Sequence, residues 1–301
     1  MIILFSTRLR AHGALLCNVR KQRKRTLTPT NTQKKRIFAR YSTLQHNDMI
    51  LYFSAAGNSR HVAQRLADVV HTSAISIESV LKENADAEIS LTFNADEAFG
   101  LVVPTYFWGL PRMVERLLQR LSVEGDGYRF FVTTYGTTTG QIGTFAHRIA
   151  RKRGWAFDAF FSVRMPDVWT PMFDLSNKKI VSRRLEKGER ELDTVAKAVR
   201  ARQTGNHMHH RVPMLLSRLY HWYGFHHYTT ARFSVDAEAC IACGLCAKRC
   251  PAQSIEMCDG LPQWTQPHCE LCLGCLHRCP KFAIQYGKNT RKHGQYLYAK
   301  Q

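Results

Sequence analysis

Eight of the ten cysteines fall into two copies of one pattern, and thiols at that density can hold inorganic iron and sulfide. The copies are Cys240, Cys243, Cys246, Cys250-Pro251 and Cys269, Cys272, Cys275, Cys279-Pro280, offset by 29 residues. Each places three cysteines at three-residue intervals on one tight loop, where their thiolates can take three corners of an iron–sulfur cube. Structural zinc asks for four ligands, usually as two separated pairs, which this spacing does not offer. A disulfide framework belongs to small secreted chains, and no secretory signal is read here. A reducing compartment, the cytoplasm, is expected. Cys17 and Cys258 lie outside both runs, and Cys258 is expected as a small semi-apolar filler.

The run closing on Cys-Pro resembles that of bacterial two-cluster ferredoxins. That resemblance implies crossed ligation, because the fourth cysteine of each run turns away onto a helix and serves the other cluster. Cys240, Cys243, Cys246 and Cys279 would hold one 4Fe-4S centre, and Cys269, Cys272, Cys275 and Cys250 the second.

Other elements must position these loops, and 301 residues with a 45% hydrophobic fraction suffice for two domains with real cores. No window approaches the 18 or so apolar residues of a membrane span. The net charge of +20 is unevenly spread. Residues 1–48 carry eleven Lys/Arg against Asp48 alone, and are expected to be a disordered basic tail. They resemble a transit peptide in composition, or translated upstream sequence with the true start at Met49. Residues 176–232 carry twelve Lys/Arg against four acids and read as a basic helical connector, with Leu185, Leu192, Val195 and Val199 on one helical face. Such a stretch suits an acidic redox partner or peripheral membrane contact, or simply packs on its neighbours. Nucleic acid is not an expected partner, since no reader motif accompanies the charge. Residues 233–290 hold both cysteine runs, and 291–301 are taken as a C-terminal tail.

Residues 49–175 alternate strand and helix. Met49–Phe53, Phe99–Val103, Phe130–Thr134 and Phe157–Val163 read as strands. Between them lie helical faces at Val62, Leu66, Val69 and Val70, at Val114, Leu117, Leu118 and Leu121, and at Ile142, Phe145, Ala146 and Ile149. The predicted fold is α/β, a doubly wound parallel sheet with ligands beyond its carboxyl edge, followed by a small α+β domain. Three loops fall at that edge. Ser54, Ala55, Ala56, Gly57, Asn58 and Ser59 join a strand to a helix, which makes either a phosphate cradle or an ordinary turn. Thr105, Tyr106, Trp108 and Gly109, then Tyr135 and Gly136, supply the second and third, whose aromatics suit a planar ligand or rim packing.

These loops resemble the flavodoxin phosphate loop and the two segments that hold the isoalloxazine of FMN. Joined to the cysteine runs, residues 49 to about 290 resemble flavodoxin–ferredoxin fusion proteins. Ala56 stands where such loops usually carry a threonine hydroxyl, a missing contact of about 1.5–3 kcal/mol to a charged phosphate. The resemblance implies FMN, two 4Fe-4S clusters and electron relay to or from a protein partner. The alternatives are an oxidoreductase reducing a small acceptor at the flavin, and a binding module without FMN. No Gly-x-Gly-x-x-Gly follows a strand, so a nicotinamide site is not expected.

Overall fold

The computed structural model describes residues 48–84, 87–209 and 211–298. Cys17 and all of the basic tail except Asp48 lie outside them, as does the last part of the C-terminal segment.

The apolar runs become a parallel sheet. Strands β1 (Met49–Tyr52), β2 (Ala74–Ser76), β4 (Ala98–Pro104), β6 (Tyr128–Tyr135), β7 (Ala159–Arg164) and β8 (Gly205–Asn206) form six strands in the order β2-β1-β4-β6-β7-β8. Every neighbouring pair is parallel. Parallel strands need crossovers, and these are helices α1 (Asn58–Val69), α2 (Ile77–Asn84), α3 (Arg112–Arg120) and α4 (Ile142–Lys152), followed by α5 (Lys178–Arg200). Two short strands, β3 (Ile89–Thr92) and β5 (Leu121–Glu124), pair apart from the main sheet. Helices cover both faces, so the strands read as continuous apolar runs: all of Ala98–Val103 is buried. One core holds Leu51, Phe99, Leu101, Leu117 and Phe131, and the other Ile50, Leu66, Val102, Val132 and Leu192. The chain leaves β1 for β2 on one side and β4 on the other, and this reversal opens a crevice past their carboxyl ends.

The boundary expected at 175 moves. Helix α5 lays Leu192, Val195 and Val199 into the second core, and β8 completes the sheet edge, so this half of the expected connector belongs to the first domain. A Cβ on Gly188 would stand 2.5 Å from the Arg164 carbonyl, so the absent side chain lets α5 lie against β7. Helix α6 (Met214–His227) then leads on to the cysteine-rich part. There β9 (Phe233–Val235) pairs antiparallel with β12 (Ile284–Tyr286), and β10 (Ile255–Cys258) with β11 (Leu261–Trp264). Three short helices, α7 (Leu245–Lys248), α8 (Gly274–Arg278) and α9 (Thr290–His293), complete it. Cys258 is buried, as a filler would be.

The structure redraws both ends. Asp48 was grouped with the tail, yet its carboxylate accepts from the Ala98 amide and its carbonyl from the Thr72 hydroxyl, tying β1 to its surroundings. Residues 291–301 are expected as a tail, yet 291–293 complete α9 and Tyr296 and Tyr298 are buried against the β1–α1 loop. The Tyr298 amide donates to the Ala56 carbonyl at 2.8 Å and the Tyr296 hydroxyl to Asn58 Oδ1 at 2.7 Å.

Candidate functional site

A cleft of about 1090 Å³, its mouth included, opens in the crevice beyond the strands. The β1–α1 loop lines it with Ser54, Ala55, Ala56, Asn58 and Ser59, the loop after β4 with Thr105, Tyr106 and Trp108, and the loop after β6 with Tyr135 and Gly136. Gly57 and Gly109 shape these loops from outside the lining. Gly57 caps α1 at φ 101°, a left-handed conformation that glycine adopts without strain. The Ser54 hydroxyl accepts from the Gly57 amide at 3.1 Å and Ser59 Oγ meets Thr134 Oγ1 at 2.7 Å, so the loop is set before any ligand arrives. Helix α1 opens with its first-turn amides facing this loop, and such amides have no partner within a helix. They suit a phosphate.

Tyr106 and Gly109 exchange two backbone hydrogen bonds, and Phe107 and Trp108 turn the tip between them at φ 47° and 63°. The turn sends neighbouring rings opposite ways. Phe107 enters the apolar cluster between the two domains, where a Cβ on Gly224 would collide with it at 2.3 Å. Trp108 stays on the cleft, 4.4 Å from the Tyr220 ring of α6. Tyr106 Oη and Trp169 Nε1, on two cleft-lining side chains, are buried with no hydrogen-bond partner among the described residues. An amide cradle, flanking aromatics and orphaned polar atoms fit FMN.

Ala56 needs a different reading from its sequence one. It lines the cleft and is also packed in one buried cluster with Leu175, Val181 and Tyr296. A larger side chain at 56 is therefore expected to press on that cluster as well as on the cleft.

A fourth loop, after β7, escaped the sequence reading. It places Asp167 in the cleft, where burial raises its carboxyl to about 6 against the lowering effects of the Trp169 amide and the Arg184 charge. Below that pH the group holds a proton, and above it the loop carries a negative charge beside the ligand. An anion there opposes electron uptake. The midpoint potential of bound flavin is therefore expected to fall more steeply with rising pH across about 6 in the wild type than in Asp167→Asn. Equal slopes in potentiometric titrations of the two proteins would remove Asp167 from the site.

The cysteines gather around two small cavities. Cys240, Cys243 and Cys246 line one together with Cys279, and Cys269, Cys272 and Cys275 line the other together with Cys250. Each cavity thus draws three thiols from one run and one from the other. Left-handed backbone at Ala242, Gly244, Leu271 and Leu273 curls the two loops inward. Burial pushes the Cys269 thiol up to about 11 and those of Cys272 and Cys275 further still. Thiolates so buried need cations among them, which iron supplies. Among the described residues no three His, Cys, Asp or Glu side chains converge for a single metal ion. The environments differ: Cys243 is exposed, while Cys272 is half-buried and lines the large cleft as well as its own cavity.

Contacts that no spacing announces hold this junction. Glu270, 3% exposed, caps α3 from the other domain: Oε2 accepts from the Met113 amide at 3.0 Å and Oε1 from Arg116 at 2.8 Å. Burial raises its carboxyl against the pull of that amide and of Arg116 and Arg112. A hydrogen bond to a charged group of this kind contributes about 1.5–3 kcal/mol. His277 is buried, and burial lowers its imidazole to about 4, so it is neutral. With Nδ1 accepting from the Tyr296 amide, Nε2 carries the hydrogen and donates to the Val168 carbonyl at 2.8 Å. Arg278 donates to the Ser54 carbonyl at 3.3 Å, on the phosphate loop itself.

A flavin cleft sharing a wall with a thiol-lined cavity defines an electron-transfer protein that binds a flavin and iron–sulfur. Residues 49–194 match the flavodoxin domain family and residues 233–256 the 4Fe-4S binding domain family, the latter match spanning the first cysteine run. Residues 49–194 thus form a flavodoxin domain and residues 233–256 belong to a 4Fe-4S binding domain, with FMN and 4Fe-4S as the cofactors. Among solved structures it is similar to a short-chain flavodoxin associated with a non-canonical PDU bacterial microcompartment. The two are 14% identical over 50% of this chain and 97% of that one, with a TM-score of 0.30. The Streptococcus pneumonia TIGR4 flavodoxin is 15% identical over 49% and 98% of the two chains, with a TM-score of 0.29. The flavodiiron core Flv1 of Synechocystis sp. PCC6803 is 16% identical over 56% of this chain, with a TM-score of 0.29, and the match spans only 40% of that protein. No curated protein matches the chain. Among the described residues no helix is long and apolar enough to cross a membrane.

Proposed function

We propose that the protein relays electrons between FMN and a redox partner through two 4Fe-4S clusters, held in crossed fashion by Cys240, Cys243, Cys246 and Cys279 and by Cys269, Cys272, Cys275 and Cys250. Bound FMN exchanges one or two electrons and each cluster one at a time, which makes such a protein a converter between the two modes. The observation that carries this reading is Cys272, which lines both the flavin cleft and the deeper thiol cavity. The exposure of Cys243 supports the other cavity as the point of entry from a partner. The order is then partner, outer cluster, inner cluster, flavin. Glu270, His277 and Arg278 fix the last step by clamping the inner loop to α3, to the β7 loop and to the phosphate loop.

The partner is an acidic redox protein. Lys178, Lys179, Arg183 and Arg184 are all exposed at the start of α5 and offer such a partner a basic approach. The relay is tested with a reduced acidic donor in stopped flow. The bimolecular rate is expected to fall steeply with salt, and at low ionic strength to drop roughly tenfold when these four side chains are neutralised. With Arg184 kept and only Lys178, Lys179 and Arg183 neutralised, the bimolecular rate should still fall while transfer between cluster and flavin within the protein is unchanged. A rate indifferent to both changes would leave this face as packing only.

Asp167 favours a second reading, a flavin/iron–sulfur oxidoreductase reducing a small organic acceptor. A carboxyl that still holds its proton near pH 6 could deliver it to a molecule entering the cleft. Turnover with an added acceptor, lost in Asp167→Asn while electrons still reach the flavin, would support it over a pure relay.

A further inference from the structure

Helix α6 is built inside out. It buries Ser217, Gly224 and Phe225 against the protein, and leaves Leu215 67%, Leu216 52%, Leu219 56%, Trp222 61% and Tyr223 44% exposed. Five of the nine large apolar side chains exposed among the described residues thus fall within nine consecutive positions. At 100° per residue, 215, 219 and 222 form one line, with 216 and 223 beside it. A helix apolar on both faces is normally enclosed on both. Here one face is covered by protein and the other by nothing described.

We propose that this outer face docks on an anionic lipid surface. The stripe is one helix wide and bordered by the exposed side chains of Arg211, Arg218, His226 and His227. Residues 194–235 contain six Lys/Arg and no Asp or Glu, so nothing along the helix or its flanks repels an acidic headgroup. Leucines at one end, with Trp222 and Tyr223 at the other, match what an interfacial helix presents: aliphatic chains to sink, amphipathic rings for the headgroup level, and cations at the rim. The chain's own residues 1–47 make a poorer cover, since they carry eleven Lys/Arg and no acid, the same sign as the rim. An acidic protein would answer the charge but leave the apolar stripe without a matching partner. Tyr220, one position past Leu219, lines the cleft on the helix's inner side, so docking would bring the flavin site within about one helix diameter, ~10 Å, of the lipid.

The test uses the full chain with its cofactors and vesicles of phosphatidylcholine with or without phosphatidylglycerol. Co-sedimentation is expected with the anionic vesicles, roughly tenfold or more above the neutral ones. Trp222 emission, taken as the difference from Trp222→Phe, should shift to the blue and be quenched by brominated lipid. The triple variant Leu215→Glu, Leu219→Glu, Trp222→Glu should lose that binding while keeping its flavin and iron content, which reports that it is folded. A chain starting at Asp48 should keep the Trp222 shift. Vesicle binding unchanged in the triple variant, binding lost on removing residues 1–47 with no Trp222 shift, or a dimer that the triple variant dissociates without any lipid binding would each overturn the proposal. So would tight binding to an acidic redox protein, abolished by the triple variant, in the absence of vesicle binding.

Discussion

Alanine at Cys250 is expected to empty the cavity beside the flavin cleft and leave the outer one filled, although Cys250 belongs to the first run by sequence. It lines its cavity with Cys269, Cys272 and Cys275, so its loss opens one corner of the inner cube. Alanine at Cys279 should do the converse, since that thiol stands with Cys240, Cys243 and Cys246. Iron and labile sulfide should each fall from about eight to about four per chain in either variant, because each 4Fe-4S centre needs its own four thiolates. The functional consequences are expected to differ. Without the inner cluster, flavin reduction through the protein should stop, whereas a small strong reductant able to reach the inner cluster should still reduce the flavin of Cys279→Ala. Anaerobic metal analysis with low-temperature EPR checks the assignment, and loss of the outer signal in Cys250→Ala would refute crossed ligation.

Valine at Gly57 is expected to abolish FMN retention and spare the clusters. The backbone there has φ 101°, where an L-residue pays about 1–2 kcal/mol and a β-branched one more. Relieving that strain would shift the loop and turn its amides away from the phosphate they would hold, each charge-assisted contact being worth about 1.5–3 kcal/mol. Together these predict a loss of roughly a hundredfold to a thousandfold in FMN affinity. Gly57 lines neither thiol cavity, so iron content should hold. Equilibrium dialysis with FMN settles the first point, and unchanged affinity would move the phosphate elsewhere.

Which parts of this architecture could be read from the chain follows from how locally each was encoded. Strands β1, β4, β6 and β7 announce themselves as apolar runs because helices cover both their faces. Strands β2 and β8, of three and two residues, carry too little pattern to see, and β3 and β5 are half exposed. The cysteines were legible because all eight fall in two short, repeated runs. Glu270 was not, since its partners Met113 and Arg116 lie 157 and 154 residues away and nothing near it in the chain marks them. Arg278 and Ser54 are 224 apart, and Tyr296 and Asn58 are 238 apart. Asp167 follows a strand that was recognised, so its loop could have been added to the three by position alone. At Ala56 the missing hydroxyl was visible in the sequence and the tyrosine packed beside it, far along the chain, was not.

The contact between Tyr296, Tyr298 and the β1–α1 loop also bears on the order of biosynthesis. Chains emerge from the ribosome amino end first, and their leading domain generally folds first. Here the loop made near the start is closed on its inner side by residues made after both cysteine runs. A nascent flavodoxin domain thus waits, one wall of its phosphate loop uncovered, until the iron-binding segment has left the ribosome. Flavin retention is thereby expected to depend on completion of the cysteine-bearing half.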